Sequence, residues 1–227
     1  MSAPWRAVLF DLDGTLIDSA PDLAGAGNEM RVARGLDALP YEAFRPMVGA
    51  GARGMVGIAL GVGPEDEAYE DLRAEFLDRY AARMTSATRV FDDVAPLLER
   101  LRDAGLPWGI VTNKAMRFAE PLVRALGLDR DAAALVCGDS TPHAKPHPAP
   151  LLEAARRLSV GPDACVYVGD DLRDVQAGRA AGMATVIAAW GYLGLGDGIG
   201  SWGADHVIAA PMDLLDLPPL GVRAAPP

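Results

Sequence analysis

Only two cysteines, Cys137 and Cys165, occur in the 227 residues, each inside a short apolar run. That placement predicts buried, reduced thiols and excludes both a disulfide framework and a cysteine metal site. Histidine is almost as scarce: His143, His147 and His206 lack metal-ligand spacing and suit surface or supporting roles. The tryptophans at 5, 108, 190 and 202 are scattered, which fits packing rather than recognition. No apolar run approaches the roughly 18 residues needed to span a bilayer, and no basic segment leads an apolar one at the start of the chain, so the expected compartment is the cytoplasm. Positive charge is also short. Lys and Arg number 21 against 31 Asp and Glu, a net charge of −10 with no basic cluster, which argues against nucleic acid or an anionic membrane as partner. An anionic substrate would then need locally gathered cations, with a divalent metal as the natural supplement.

What the chain does have is apolar content, 50%, enough at this length for a full core. Its 18 Pro and 25 Gly are dispersed, and only the stretch from Pro218 to Pro227 reads as a loose tail. Short apolar runs at residues 7–10, 108–111, 134–136, 164–168 and 185–188 predict strands buried on both faces. Between them lie helical faces: Val94, Leu97, Leu98 and Leu101; Leu122, Val123 and Leu126; Leu151, Leu152, Ala155 and Leu158. Strand and helix in alternation predict an α/β fold, a Rossmann-like open parallel sheet. Nearly a hundred residues separate the first two strands, and Tyr69, Leu72, Phe76, Tyr80 and Met84 make a helical face among them. The expected division is therefore a core of residues 1–17 and 86–217, a small helical insertion of 18–85 after the first strand, and the tail 218–227.

In open parallel sheets the ligand site lies beyond the carboxyl ends of the strands. Asp11-Leu12-Asp13-Gly14-Thr15 ends the first, placing two carboxylates where they repel unless a cation or a reaction uses them. Helix-capping aspartates in a loop are the competing explanation. Thr112-Asn113-Lys114 ends the second and offers a hydroxyl, an amide and an ammonium to a phosphate oxygen, or simply an N-cap. Lys145, before Pro146, is either a fixed ammonium or a surface lysine beside a turn. Gly169-Asp170-Asp171-Leu172-Arg173-Asp174 crowds three carboxylates at another strand end. Asp171 can cap the next helix and Asp174 can pair with Arg173 or Arg179, which leaves Asp170 for a hard cation. Asp11, Asp13 and Asp170 would form the incomplete oxygen cage that Mg2+ prefers. Within the insertion, residues 49–54 (GAGARG) let backbone approach a ligand, and Arg53 is a candidate for a substrate carboxylate or a solvated side chain on a turn.

These four segments, in this order and spacing over about residues 6–215, resemble the haloacid dehalogenase superfamily of phosphatases, whose helical cap sits where the insertion falls. Asp18-Ser19-Ala20-Pro21-Asp22-Leu23 and Lys145-Pro146-His147-Pro148 are similar to the phosphoglycolate phosphatase group. Thr112-Asn113-Lys114, Arg117-Phe118-Ala119-Glu120-Pro121, residues 169–174 and Trp202-Gly203-Ala204-Asp205 resemble the N-acetylmuramic acid 6-phosphate phosphatases of bacterial cell-wall recycling. The resemblance implies a Mg2+-dependent phosphomonoesterase in which Asp11 is the nucleophile, forming an aspartyl-phosphate, and Asp13 carries protons. It further implies that Asp13 ligates the metal through its backbone carbonyl, that Thr112, Asn113 and Lys145 handle the phosphoryl group, and that Asp174 orients metal-bound water or Lys145. Lys114 joins Arg53 as a candidate substrate contact. The substrate would be a small phosphate ester, N-acetylmuramic acid 6-phosphate or 2-phosphoglycolate. A sugar-phosphate phosphomutase uses a similar Asp pair and cap, and a phospho-acceptor signalling module also phosphorylates an aspartate after a strand. The signalling module needs no lid of about 65 residues.

Overall fold

The computed structural model describes residues 4–194, 196, 198–218 and 220. Six strands form one parallel sheet: β1 (Ala7–Phe10), β4 (Trp108–Val111), β5 (Ala134–Val136), β6 (Cys165–Gly169), β7 (Ala184–Ala188) and β8 (His206–Ile208), in the order β5-β4-β1-β6-β7-β8. A short antiparallel pair, β2 (Ile17–Asp18) and β3 (Arg89–Val90), brackets four helices: α1 (Ala20–Val32), α2 (Tyr41–Phe44), α3 (Gly51–Leu60) and α4 (Tyr69–Arg83). Helices α5 (Val94–Asp103), α6 (Met116–Ala125), α7 (Ala149–Leu158) and α8 (Leu172–Ala180) cover the large sheet.

Alternation along each strand explains why both faces are apolar. Val8, Phe10, Ile110, Val166 and Val168 face one way, against Val94, Leu97, Leu98 and Leu101 of α5 and Ala119, Leu122 and Val123 of α6. Ala7, Leu9, Val111, Val136, Cys165 and Tyr167 face the other way, against Leu151, Ala154 and Ala155 of α7 and Ala177 of α8. Successive side chains leave opposite faces of a strand, so a strand covered on both sides reads as an unbroken apolar run. Both thiols are buried and unbridged, and burial pushes each up to about 11, so neither is a ready nucleophile.

Three strands differ from the sequence expectation. β6 runs Cys165–Gly169 rather than 164–168, because Pro162–Ala164 closes a 3-10 turn first and Gly169 still pairs with Ile187 of β7. β7 starts one residue early, at Ala184. β8 was not expected: it is an edge strand with Val207 52% exposed, so no continuous apolar run announces it. Of the expected loose tail, Leu220 is buried against the α5 side of the core, while 219 and 221–227 lie outside the described residues, as do 1–3. No helix among the described residues is long and apolar enough to cross a membrane.

The helices between β2 and β3 pack around their own cluster, with Met30, Phe44, Met55, Phe76 and Tyr80 at its centre, which also takes in Phe118 and Tyr192 from outside the insertion. Asp22 ties the start of this segment to its exit. Fully buried, its Oδ2 accepts from Ala87 N, Thr88 N and Thr88 Oγ1 at 2.8–2.9 Å, and Arg83 Nε stands 3.5 Å from Oδ1. Asp22→Ala would orphan those donors, so its urea midpoint should fall by the equivalent of about 3 kcal/mol. An unchanged midpoint would mean the tie carries no stability.

Candidate active site

Register brings the chemistry together. Phe10 is aligned with Ile110 of β4 and with Val168 of β6, so Asp11, Thr112 and Asp170 all emerge at one carboxyl edge of neighbouring strands. β1 lies where the strand order reverses direction, the position at which parallel sheets bind ligands. A cavity of about 360 Å³ opens there, with Asp11, Asp13, Thr112, Lys145 and Asp170 on its floor and residues of α3 and α4 above.

Lys145 organises the floor. Buried, its Nζ lies 2.9 Å from Asp11 Oδ1 and donates to Asp174 Oδ1 at 2.7 Å, Tyr167 Oη at 2.7 Å and Val111 O at 3.0 Å. Burial works against its charge, but Asp11 and Asp174 more than compensate and hold the ammonium above its ordinary range. Asn113 fixes the backbone beside it: Lys145 N donates to Asn113 Oδ1 and Asn113 Nδ2 donates to Lys145 O, both at 2.9 Å. The Asn113 side-chain amide thus holds the Lys145 backbone from both sides while Asn113 still lines the cavity.

Asp11, Asp170 and Asp174 present carboxylate oxygens within 4.8 Å of one another. Asp11 Oδ1 also accepts from Leu12 N at 2.7 Å. Asp170 accepts from Thr15 Oγ1 at 2.9 Å and from Tyr192 N at 2.8 Å. The approach is so close that a Cβ on Gly14, whose φ is +84°, would stand 2.2 Å from Asp170 Oδ2; only glycine serves there. Burial, opposed by Lys145 and reinforced by Asp174, raises Asp11 from 3.8 to about 7. Burial, with the Asp11 and Asp174 charges adding to it, drives Asp170 well above the carboxylate range. Three hard oxygen donors, crowded and desolvated with one ammonium among them, fit a divalent hard cation.

Asp174 pairs with Lys145, one of the two partners the resemblance implied, and not with Arg173 or Arg179; it closes a capping box with Asp171 at the start of α8, and Arg173 pairs with Asp171. The Asp13 side chain is turned from the carboxylate cluster and accepts from Ser19 Oγ and from Lys114 Nζ, the latter at 2.9 Å. Lys114 is therefore a partner of Asp13. Burial disfavours its ammonium, yet the Asp13 charge outweighs this and raises it above the ordinary value. Thr112 is buried on the floor and accepts from Lys114 N at 3.1 Å. Arg53 is exposed on α3 and does not line the cavity, although Gly49, Ala50, Gly51 and Ala52 beside it do.

Sequence reasoning missed Tyr167 and Tyr192. Tyr167 is the one hydroxyl in an apolar strand, and its single Oη proton has two acceptors in reach, Val111 O (2.9 Å) and Asp174 Oδ1 (3.0 Å). Tyr192 Oη accepts from Ser19 N and Ala20 N at 2.8 and 3.0 Å, holding the start of α1.

The haloacid dehalogenase-like hydrolase family matches residues 5–182, most of the chain. The chain belongs to that family. It is 42% identical over 212 residues to the N-acetylmuramic acid 6-phosphate phosphatase of Pseudomonas aeruginosa, covering 93% of this chain and 94% of that one. It is 47% identical over 210 residues to a phosphoglycolate phosphatase of Xanthomonas campestris, covering 92% and 94%. The crystal structure of a predicted phosphoglycolate phosphatase from Haemophilus somnus superposes with a TM-score of 0.82 at 27% identity, covering 93% of this chain and 97% of that one. Within the haloacid dehalogenase-like hydrolases this chain is a phosphatase, close to both named activities.

Proposed function

We propose that the chain is a Mg2+-dependent phosphomonoesterase that works through an aspartyl-phosphate on Asp11, with N-acetylmuramic acid 6-phosphate or 2-phosphoglycolate as substrate. The supporting observation is the 2.9 Å approach of the Lys145 ammonium to Asp11 at the end of β1, beside the Asp170 and Asp174 carboxylates. Asp11 attacks phosphorus in line and the ester oxygen departs; water then hydrolyses the acyl phosphate. Asp13, held by Ser19 and Lys114, gives a proton to the leaving oxygen and takes one from the water. Lys145 offsets the charge of the incoming dianion, and Thr112 faces the phosphoryl oxygens. Asp11, Asp170 and the Asp13 backbone carbonyl would hold Mg2+, with Asp174 behind them. When bound, the ion supplies charge neutralisation for the phosphate oxygens and the crowded carboxylates. Residues 18–85 act as the cap over this site and residues 1–17 with 86–217 as its core, the cap excluding water during turnover.

Phosphate release with Mg2+ from N-acetylmuramic acid 6-phosphate, 2-phosphoglycolate and common sugar phosphates tests the reading. A preference above tenfold, about 1.4 kcal/mol, names the substrate, and no release from any of them contradicts the proposal.

Metal and pH should be linked. Asp11 binds its proton more tightly folded than unfolded, so without metal its contribution to stability is full below about 3.8 and is lost as pH rises through about 7. Mg2+ bound to the ionised carboxylates reverses that loss. The increase in Tm on adding Mg2+ should therefore be larger at pH 8 than at pH 5.5 in thermal melts. An equal increase at both would separate the metal from these carboxylates.

A further inference from the structure

One wall of the cavity is aromatic. Phe76 and Tyr80 of α4 stack with centroids 6.4 Å apart, and Phe118 of α6 tilts against Tyr80 at 5.6 Å. Two cations sit on this wall: Lys114 Nζ is 4.9 Å from the Tyr80 centroid, and the Arg117 guanidinium is 4.5 Å from that of Phe118. Their circumstances differ. Lys114 is nearly buried and spent on Asp13. Arg117 is exposed at the rim, and among the described residues no carboxylate pairs with it. The other arginines lining the cavity are engaged, Arg173 with Asp171 and the Gly49 carbonyl, and Arg73 with Glu70 at 3.3 Å. On a chain of net charge −10, an unpaired guanidinium facing a ligand cavity is an exception. A guanidinium lying on a ring keeps its N–H edges free for bidentate pairing with a carboxylate.

Size points the same way. About 360 Å³ falls in the range of cavities that enclose drug-sized ligands, roughly 300–1,000 Å³, and exceeds what a phosphate and two carbons fill.

We propose that Arg117 on its Phe118 platform is a specificity residue that reads a carboxylate at the end of the substrate remote from phosphorus, and that the preferred class is a hexose-sized phosphate monoester bearing that carboxylate. The inference rests on the phosphatase reading above and adds the residue that selects. The buried aromatic wall fixes where the guanidinium sits.

The test is the ratio of kcat/KM for N-acetylmuramic acid 6-phosphate to that for N-acetylglucosamine 6-phosphate, which has the same ring and phosphate but lacks the lactyl carboxylate. The wild-type protein should favour the acid by more than tenfold. R117A should lower the ratio roughly ten- to hundredfold, the loss of one charge-assisted pair. R117K, which keeps charge without the fork, should fall between, and R53A should keep the wild-type ratio. An R117A variant that slows both esters by one factor, or a wild-type protein that turns over both without preference, overturns the inference and leaves the phosphatase reading standing. Release from 2-phosphoglycolate or another small ester but from neither hexosamine ester overturns the inference alone, and release from no phosphomonoester overturns both.

Discussion

Asp11→Asn is expected to fold normally and to lose at least about three decades of Mg2+-dependent turnover. The side chains are nearly isosteric, and the amide oxygen can still accept from Leu12 N and Lys145 Nζ, so the local geometry holds. What disappears is the negative charge that attacks phosphorus, and removal of a nucleophile costs far more than removal of a binding contact. Stability should not fall with activity. A buried carboxylate already raised to about 7 is a strained charge at pH 8, and its neutral replacement relieves repulsion from Asp174 and Asp170. Thermal melts at pH 8 without metal should therefore show a Tm equal to or above that of the wild-type protein. Turnover within tenfold of the wild type would remove Asp11 from the nucleophile's place.

Lys145→Met is expected to lose both activity and stability. The methionine fills a similar volume but leaves Asp174 and Asp11 without their shared cation in a buried site. Breaking such a pair from one side costs about 3–5 kcal/mol, and the loss should be smaller at pH 6 than at pH 8, because protonation of Asp11 removes part of the unpaired charge. Urea titration in metal-free buffer reads this directly. A pH-independent loss would mean that Lys145 matters through packing alone. Tyr167, which accepts from the same ammonium, cannot substitute for it, since a hydroxyl brings no charge.

Most of the sheet was legible because a strand covered on both faces writes itself as an apolar run. Ala7–Phe10, Trp108–Val111 and Ala134–Val136 have the bounds that the runs suggested. β8 was not, since an edge strand with one exposed face mixes polar with apolar residues. The acidic strand ends were legible for a related reason: charge at the end of a buried run has little else to do. What spacing alone could not give was pairing. Asp174 had two arginines within reach in sequence and took a lysine 29 positions away, a partner that only the family resemblance named, and Tyr192 joins α1 across 172 or more positions. Helical phase decided the arginines: Arg53 belongs to a glycine-rich segment that does line the cavity, yet its own side chain leaves α3 on the exposed side.

The central claim is a covalent phosphate on one carboxylate. Acid quench of the working enzyme with Mg2+ and substrate, followed by borohydride reduction and peptide mass spectrometry, converts an acyl phosphate into a homoserine at its position. The account predicts homoserine at residue 11, dependent on Mg2+ and absent from Asp11→Asn. Homoserine at another aspartate, or rapid turnover with none formed anywhere, would contradict it.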